Sequence, residues 1–174
     1  MGSHRGRTIR RDLPHARGEA SGEREVPVRR ILAAAVLVLC AAGAAAAHAY
    51  LERSVPQEGA RLDRAPRVVR LVFTEPVELR FSLFKVYRLE ATPDAPMARL
   101  NALAAALFNE ALQACNDDDR RVDRGIANRE RVTREVVIWL KPDLWPGPYV
   151  VVWRVLSVDT HITRGFFVFV VPTP

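Results

Sequence analysis

Hydrophobic and polar residues alternate along several short segments of the chain, which is the pattern of half-buried β-strands. The segment 67–74 is the clearest case, because Val69, Leu71 and Phe73 alternate with polar or smaller residues. Similar extended segments lie at 50–55, 79–89, 133–140, 149–157 and 165–171. Turn-forming residues separate them, including Gly59 and Pro142. Several short strands at close spacing predict an all-β protein, either a sandwich or a small barrel.

One segment follows a helical period instead. Its apolar residues recur at the spacing of a single helix face: Leu100, Leu103, Leu107, Ala111 and Cys115. We therefore predict one inserted helix over about residues 96–115 that packs on the sandwich, with the Cys115 thiol in the core. The following acidic run, 116–119, would oppose the helix dipole and is predicted to be a solvated loop. Its consecutive carboxylates do not have the alternating spacing of a calcium-binding loop.

The first 47 residues have the composition of an export leader. A polar, arginine-rich extension ends at Arg29 and Arg30, and the uncharged segment Ile31–Ala47 follows and ends in small residues. A basic region, an apolar region and an Ala-x-Ala site predict a signal peptide that is cleaved after Ala47. The alternative is an uncleaved membrane anchor, since 17 apolar residues can just cross a bilayer. We expect residues 48–174 to form the mature domain.

Removing the leader changes the charge of the protein. The whole chain carries a formal net charge of +6, but residues 1–47 hold 8 of its 26 basic and 4 of its 20 acidic residues, so the mature domain carries about +2. This balance does not favour nucleic-acid binding. Cys40 lies in the leader, which leaves Cys115 without a partner for an intramolecular disulfide.

Two histidines remain in the mature domain, His48 and His161. After cleavage His48 would be the first residue, and its α-amine and imidazole Nδ1 could then chelate one metal ion together. Nitrogen and carboxylate donors in a plane suit copper(II). If the segment Asp159-Thr160-His161 is extended, Asp159 and His161 point to the same side. The alternative is a turn in which Asp159 caps the backbone and His161 lies on the surface.

The mature domain resembles the CopC family of periplasmic copper-resistance proteins. The matching motifs are HAYLERSVP at 48–56 followed by Glu58-Gly59, LVFTEP at 71–76, and GPYVVVWRVLSVDTH at 147–161. The resemblance implies an Ig-like, Greek-key β-sandwich or barrel. It also implies that copper(II) binds to His48, Asp159 and His161, with Glu75 as an acidic residue next to the site.

The sequence departs from the family pattern in two places. Ile162 stands where many members have proline after the histidine, although the spacing of the ligands is unchanged. The methionine-rich, copper(I)-binding segment of some members is absent, and Met97 is the only methionine after the leader. Thioether ligands select copper(I), so we expect no dedicated copper(I) site.

The resemblance implies an exported copper(II) carrier or buffer in copper homeostasis or resistance, which would act in the periplasm and hand its metal to a membrane transporter. We expect no enzymatic activity and membrane contact only through an uncleaved leader. Two other classes of function stay open from the residues alone. One is a copper oxygenase that uses an N-terminal histidine, and the other is an Ig-like partner-binding module in which both histidines are incidental.

Overall fold

The computed structural model describes residues 49–173, in which seven strands form a two-layer sandwich and one α-helix packs on its outside. The strands are β1 (Leu51–Val55), β2 (Val68–Glu78), β3 (Leu83–Arg88), β4 (Asp123–Ile126), β5 (Val132–Leu140), β6 (Gly147–Leu156) and β7 (Ile162–Val171). The helix α1 (Met97–Gln113) lies between β3 and β4 in the sequence. The predicted fold class, an all-β Ig-like sandwich with one inserted helix, is confirmed.

Two antiparallel sheets form the sandwich. The first has the strand order β1-β2-β5-β4, and the second has the order β3-β6-β7. Aromatic side chains from both sheets fill the space between them: the Phe73 ring lies 6.4 Å from Phe84 and 6.5 Å from Trp153. Burial of these large apolar side chains drives the two sheets together. The described residues contain no disulfide that would hold the sheets covalently.

Helix α1 covers the outer face of the second sheet, as the apolar spacing predicted. Leu100, Ala104 and Ala111 are buried against Val150 and Val168. The rings of Phe108 and Phe166 are 5.2 Å apart. Pro96 precedes the first helical residue, a position where the missing amide proton costs little.

One strand prediction was wrong in part, and one strand was missed. The segment 79–89 is not one strand, because a 3₁₀ turn, Leu79–Phe81, precedes β3. Strand β4 was not predicted, since its sequence, Asp-Arg-Gly-Ile, has no hydrophobic alternation. Its buried Asp123 accepts a hydrogen bond from the Val86 amide (2.8 Å) and forms an ion pair with Arg121.

The end of the helix also differs from the prediction. Cys115 follows α1 and is exposed, so its thiol is not part of the core. The acidic run is not entirely solvated, because Asp117 is buried and its Oδ2 lies 2.8 Å from Lys85 Nζ. The same ammonium donates to the carbonyls of Ala111 (3.1 Å) and Ala114 (2.9 Å) at the end of the helix. Lys85 therefore fixes the C-terminus of α1 to the sheet.

The predicted leader, residues 1–47, lies outside the described residues, so its cleavage after Ala47 stays a prediction. Over residues 49–173, α1 is too short and too polar to cross a bilayer, and no other helix there could do so.

Candidate metal centre

Three segments of the chain meet at one end of the sandwich. The first is Ala49–Tyr50, the second is an irregular stretch of β2 between Val72 and Val77, and the third is the turn between β6 and β7. Thr74 joins the first two, because its amide donates to the Tyr50 carbonyl (2.9 Å) and its Oγ1 accepts from the Tyr50 amide (3.0 Å). The Val158 amide joins the third by donating to the Pro76 carbonyl (3.2 Å).

Ala49 is held firmly at this end. Its side chain is fully buried in the core between the sheets. Its carbonyl accepts a hydrogen bond of 2.6 Å from Thr163 Oγ1, and Thr163 is only two residues beyond His161. The beginning of the described chain therefore lies beside the turn that carries Asp159 and His161.

That turn is compact rather than extended. Strands β6 and β7 pair as far as Leu156 and Ile162, and the Thr160 amide donates to the Ser157 carbonyl (2.9 Å). Thr160 has a φ of 71°, in the left-handed region. The extended geometry predicted for Asp159-Thr160-His161 was therefore wrong. The alternative, a turn capped by Asp159, is what forms, since Asp159 Oδ1 accepts a hydrogen bond from the His161 amide (3.3 Å).

The turn nevertheless brings the two predicted side chains together. Asp159 Oδ2 lies 2.9 Å from His161 Nδ1, and the imidazole side chain is about half exposed. The hydrogen bond from Ser157 Oγ, together with those from His161, holds the pKa of the Asp159 carboxyl below its usual range. Asp159 is therefore anionic at neutral pH, and a metal ion bound to His161 in this arrangement would use Nε2, because Nδ1 faces the carboxylate.

Glu75 lies in the irregular stretch of β2 and is partly buried. Its two neighbours connect the three segments that meet at this end of the sandwich, since Thr74 bonds to Tyr50 and Pro76 bonds to Val158. The structure thus brings the Glu75 backbone to the same end of the sandwich as Asp159 and His161. Its role next to a metal stays a prediction.

His48 lies outside the described residues, directly before Ala49. Among residues 49–173 no three histidine, cysteine or acidic side chains are close enough to bind a metal ion together. In the predicted ligand set the remaining donors belong to His48, outside that range.

Sequence reasoning missed two residues that shape this end of the molecule. Ser157 is almost completely buried and contacts the Asp159 carboxylate, and Thr163 binds the Ala49 carbonyl. For Ser157 the only signal was its residue type, since serine side chains in turns often bond to nearby backbone groups, as Ser157 Oγ does to the His161 carbonyl (3.0 Å). Thr163 had no such signal, because its partner is distant in sequence.

Comparison with protein families decides the identity of the fold. The CopC domain family matches residues 51–172, most of the chain. The chain belongs to the CopC family. This family consists of copper-binding, copper-resistance proteins, and the resemblance seen in the sequence is confirmed.

Individual proteins match this chain at less than 30% identity. Protein YobA of Escherichia coli K12 is 29% identical over 125 residues, which cover 71% of this chain and 77% of YobA. The crystal structure of CopC from Methylosinus trichosporium OB3b superposes with a TM-score of 0.50 at 24% identity, covering 72% of this chain and 94% of that one. PcoC, a copper resistance protein from Escherichia coli, has a TM-score of 0.48 at 24% identity, covering 70% and 98% respectively.

Proposed function

We propose that this protein is an exported copper(II) carrier or buffer whose metal site is formed by His48, Asp159 and His161. The observation that supports it most directly is the position of Ala49, which is buried and bonded to Thr163 beside the Asp159–His161 turn. His48 is joined to Ala49 by one peptide bond, and consecutive Cα atoms are about 3.8 Å apart, so the proposal requires His48 to reach only a turn that its neighbour already contacts.

The proposed donors have the chemistry of a copper(II) site. Cleavage after Ala47 would give His48 a free α-amine, and this amine and the imidazole Nδ1 form a chelate ring. His161 would add an imidazole nitrogen, and the anionic Asp159 would add or orient a fourth donor. Two imidazoles, an amine and a carboxylate favour copper(II) in a planar arrangement. Glu75 would contribute negative charge next to the bound ion.

We favour carriage over oxygen activation. The Asp159 carboxylate lies 2.9 Å from the His161 imidazole, and a carboxylate next to the metal stabilises the oxidised ion rather than the reduced one. The protein would act outside the cytoplasmic membrane, in the periplasm, and pass copper to a membrane transporter.

Titration of the exported protein with copper(II), after its first residue has been identified by mass spectrometry, tests the proposal. We expect one tightly bound ion per chain and a large loss of affinity in His161→Ala and Asp159→Ala. Both side chains are in a surface turn, so both variants should fold. Asp143→Ala is a matched control, since Asp143 is an exposed loop residue that precedes β6 at the opposite end of that strand. Unchanged copper affinity in His161→Ala would exclude the site.

A further inference from the structure

The outer face of the second sheet is covered by α1 over only part of its length. Lys85, Val152 and Phe166 are aligned across β3, β6 and β7, and Lys85 binds the last carbonyls of the helix. The next aligned positions toward the β6–β7 turn are Leu83, Arg154 and Arg164. The helix thus ends before these positions, and both arginines are exposed.

Arg154 and Arg164 are directly opposite each other on adjacent antiparallel strands. Like charges in this position are destabilising. On the first sheet, by contrast, Arg70 has a glutamate partner, Glu135, at 2.7 Å. Within residues 49–173 neither Arg154 nor Arg164 forms an ion pair, and the nearby helix C-terminus already has Lys85 as its cation. This pair therefore presents two guanidinium groups to an anion from outside the domain.

Three exposed apolar residues lie on β7, on the β6–β7 turn and on the 3₁₀ turn, at the end of the second sheet that carries these arginines. Ile162, the first residue of β7, is 64% exposed, and Val158 in the turn is 51% exposed. Phe81 in the 3₁₀ turn is 56% exposed. The 3₁₀ turn is tied to the same end of β6, because Ser82 Oγ accepts a hydrogen bond from the Leu156 amide (3.2 Å), and Leu156 pairs with Ile162. Arg80 lies over the Phe81 ring at 6.0 Å.

We propose that these six residues form a docking surface for an anionic phospholipid bilayer. We call it the basic tip, and it consists of Phe81, Val158 and Ile162 with Arg80, Arg154 and Arg164. Apolar side chains at turns can enter the boundary between headgroups and acyl chains, while guanidinium groups bind lipid phosphates. Each basic residue near an anionic bilayer contributes about 1 kcal/mol of attraction.

The charge of the basic tip favours phosphate-bearing lipid. Its three charged residues are all arginines. The carboxylates nearby have partners of their own: Glu78 on β2 lies 3.9 Å from Arg131, and Asp159, between Val158 and Ile162, accepts hydrogen bonds from Ser157 and His161. The basic tip also contains Val158 and Ile162, which flank Asp159 and His161 in the sequence. Docking would therefore hold the proposed copper site next to the bilayer, where a membrane transporter is embedded. This departs from the sequence-based expectation that only an uncleaved leader would contact a membrane.

The inference deepens the proposed function, but its test does not use copper. Protein purified from the extracytoplasmic fraction is sedimented with vesicles of pure phosphatidylcholine, or of phosphatidylcholine and phosphatidylglycerol in about equal parts. We expect binding to the phosphatidylglycerol vesicles alone, weakened by added salt. Arg154→Gln/Arg164→Gln should lower the partition coefficient about tenfold or more. Phe81→Ser/Ile162→Ser should also lower it, since less apolar surface would enter the bilayer.

A matched control removes the same charge from the other end of the sandwich. Arg64 and Arg67 are exposed just before β2, whose far end carries the metal centre, so Arg64→Gln/Arg67→Gln should bind vesicles like the wild type. Equal binding by the two double-arginine variants would overturn the proposal. So would failure of the wild type to bind either vesicle, which would leave an acidic protein as the partner to seek. Copper(II) titration of the same variants shows separately whether the proposed function holds.

Discussion

Asp159 and His161 meet because small hydroxyl residues around them fix the backbone. Ser157 contacts the Asp159 carboxylate, and Thr163 holds the Ala49 carbonyl at 2.6 Å. Neither hydroxyl group need contact a metal ion. Their effect is to place a carboxylate, an imidazole and the beginning of the domain within a few residues of one another, so that a site could form with little reordering.

The proposed site depends on a free α-amine at His48, the residue before Ala49. A protein with one glycine added before His48 should bind copper(II) far more weakly than the processed protein. The added residue converts the α-amine into a peptide nitrogen, which does not release its proton at neutral pH without help. The free amine, with an ordinary pKa of about 7.7 to 8.0, loses its proton at small cost. Competition with a copper(II) chelator measures the difference.

A chain with one glycine added after Pro174 is the matched control, and it should bind like the processed protein. Equal affinity of all three proteins would remove the amine from the site. Such a result would leave His161 and Asp159 to be tested by their own substitutions.

The sequence allowed the pair Asp159 and His161 to be predicted, but not its geometry. A two-residue spacing suggested a strand, in which the side chains would be parallel. The actual turn depends on the left-handed backbone of Thr160 and on the burial of Ser157, and both are consequences of how β6 and β7 pair. No local pattern in the sequence carries that information.

At the scale of elements, the attachment of α1 depends on one buried charge. Lys85 uses three donors for Ala111, Ala114 and Asp117, and Tyr87 Oη donates to the same Asp117 carboxylate. Burial raises the pKa of Asp117, but the hydrogen bonds from Lys85 and Tyr87 outweigh burial and hold it below the usual range. Burial and the neighbouring Asp117 carboxylate raise the pKa of Tyr87 far above its ordinary value, so the phenol stays protonated as a donor.

We therefore expect Lys85→Met to lower the free energy of unfolding by about 3 to 5 kcal/mol, because Asp117 would remain buried without its cation. Chemical denaturation measures this loss. The pair Arg120–Glu110 is exposed, so Arg120→Gln is a control that should unfold close to the wild type. A Lys85→Met protein as stable as this control would show that the helix is held by apolar packing alone.

The pH dependence follows from the direction of the Asp117 shift. Its folded-state pKa is below the unfolded value, so the contribution to stability is complete well above the ordinary aspartate pKa of about 3.9 and declines as the pH falls below it. The difference in stability between wild type and Lys85→Met should accordingly shrink in acid.

Periodicity was sufficient to predict most elements, and it failed where polar contacts decide the structure. The long strands β2, β5, β6 and β7 and the helix have clear apolar patterns and were predicted within a few residues. Strand β4 is stabilised by hydrogen bonds of Asp123 rather than by alternation. The burial of Asp117 depends on Lys85, which is 32 positions earlier in the chain, and a run of acidic residues by itself indicates only solvent.

For the whole molecule, the distribution of sulfur ligands limits which copper ion can bind. Met97 and Cys115 are the only methionine and cysteine after the leader, and they are at opposite ends of α1. A helix of 17 residues is about 25 Å long, so one ion cannot contact both. We expect weak copper(I) binding under reducing conditions, measured by competition with a copper(I) chelator.

Met97→Leu and Cys115→Ser should leave that weak affinity unchanged, while methionine introduced at Ile162 beside the proposed site should increase it, since thioethers select copper(I). Tight, stoichiometric copper(I) uptake that is lost in Cys115→Ser would contradict this expectation.

The burial of Ala49 restricts where the leader can be cut if a copper site is to form. A single residue separates the predicted cleavage point from the packed interior, so a cut at any other bond would leave a first residue that is misplaced or is not histidine. On the proposed ligand set, a newly synthesised chain therefore has no complete site for copper before export, and the peptidase that removes the leader creates the site. Metal capture would thus be confined to the compartment in which the protein matures.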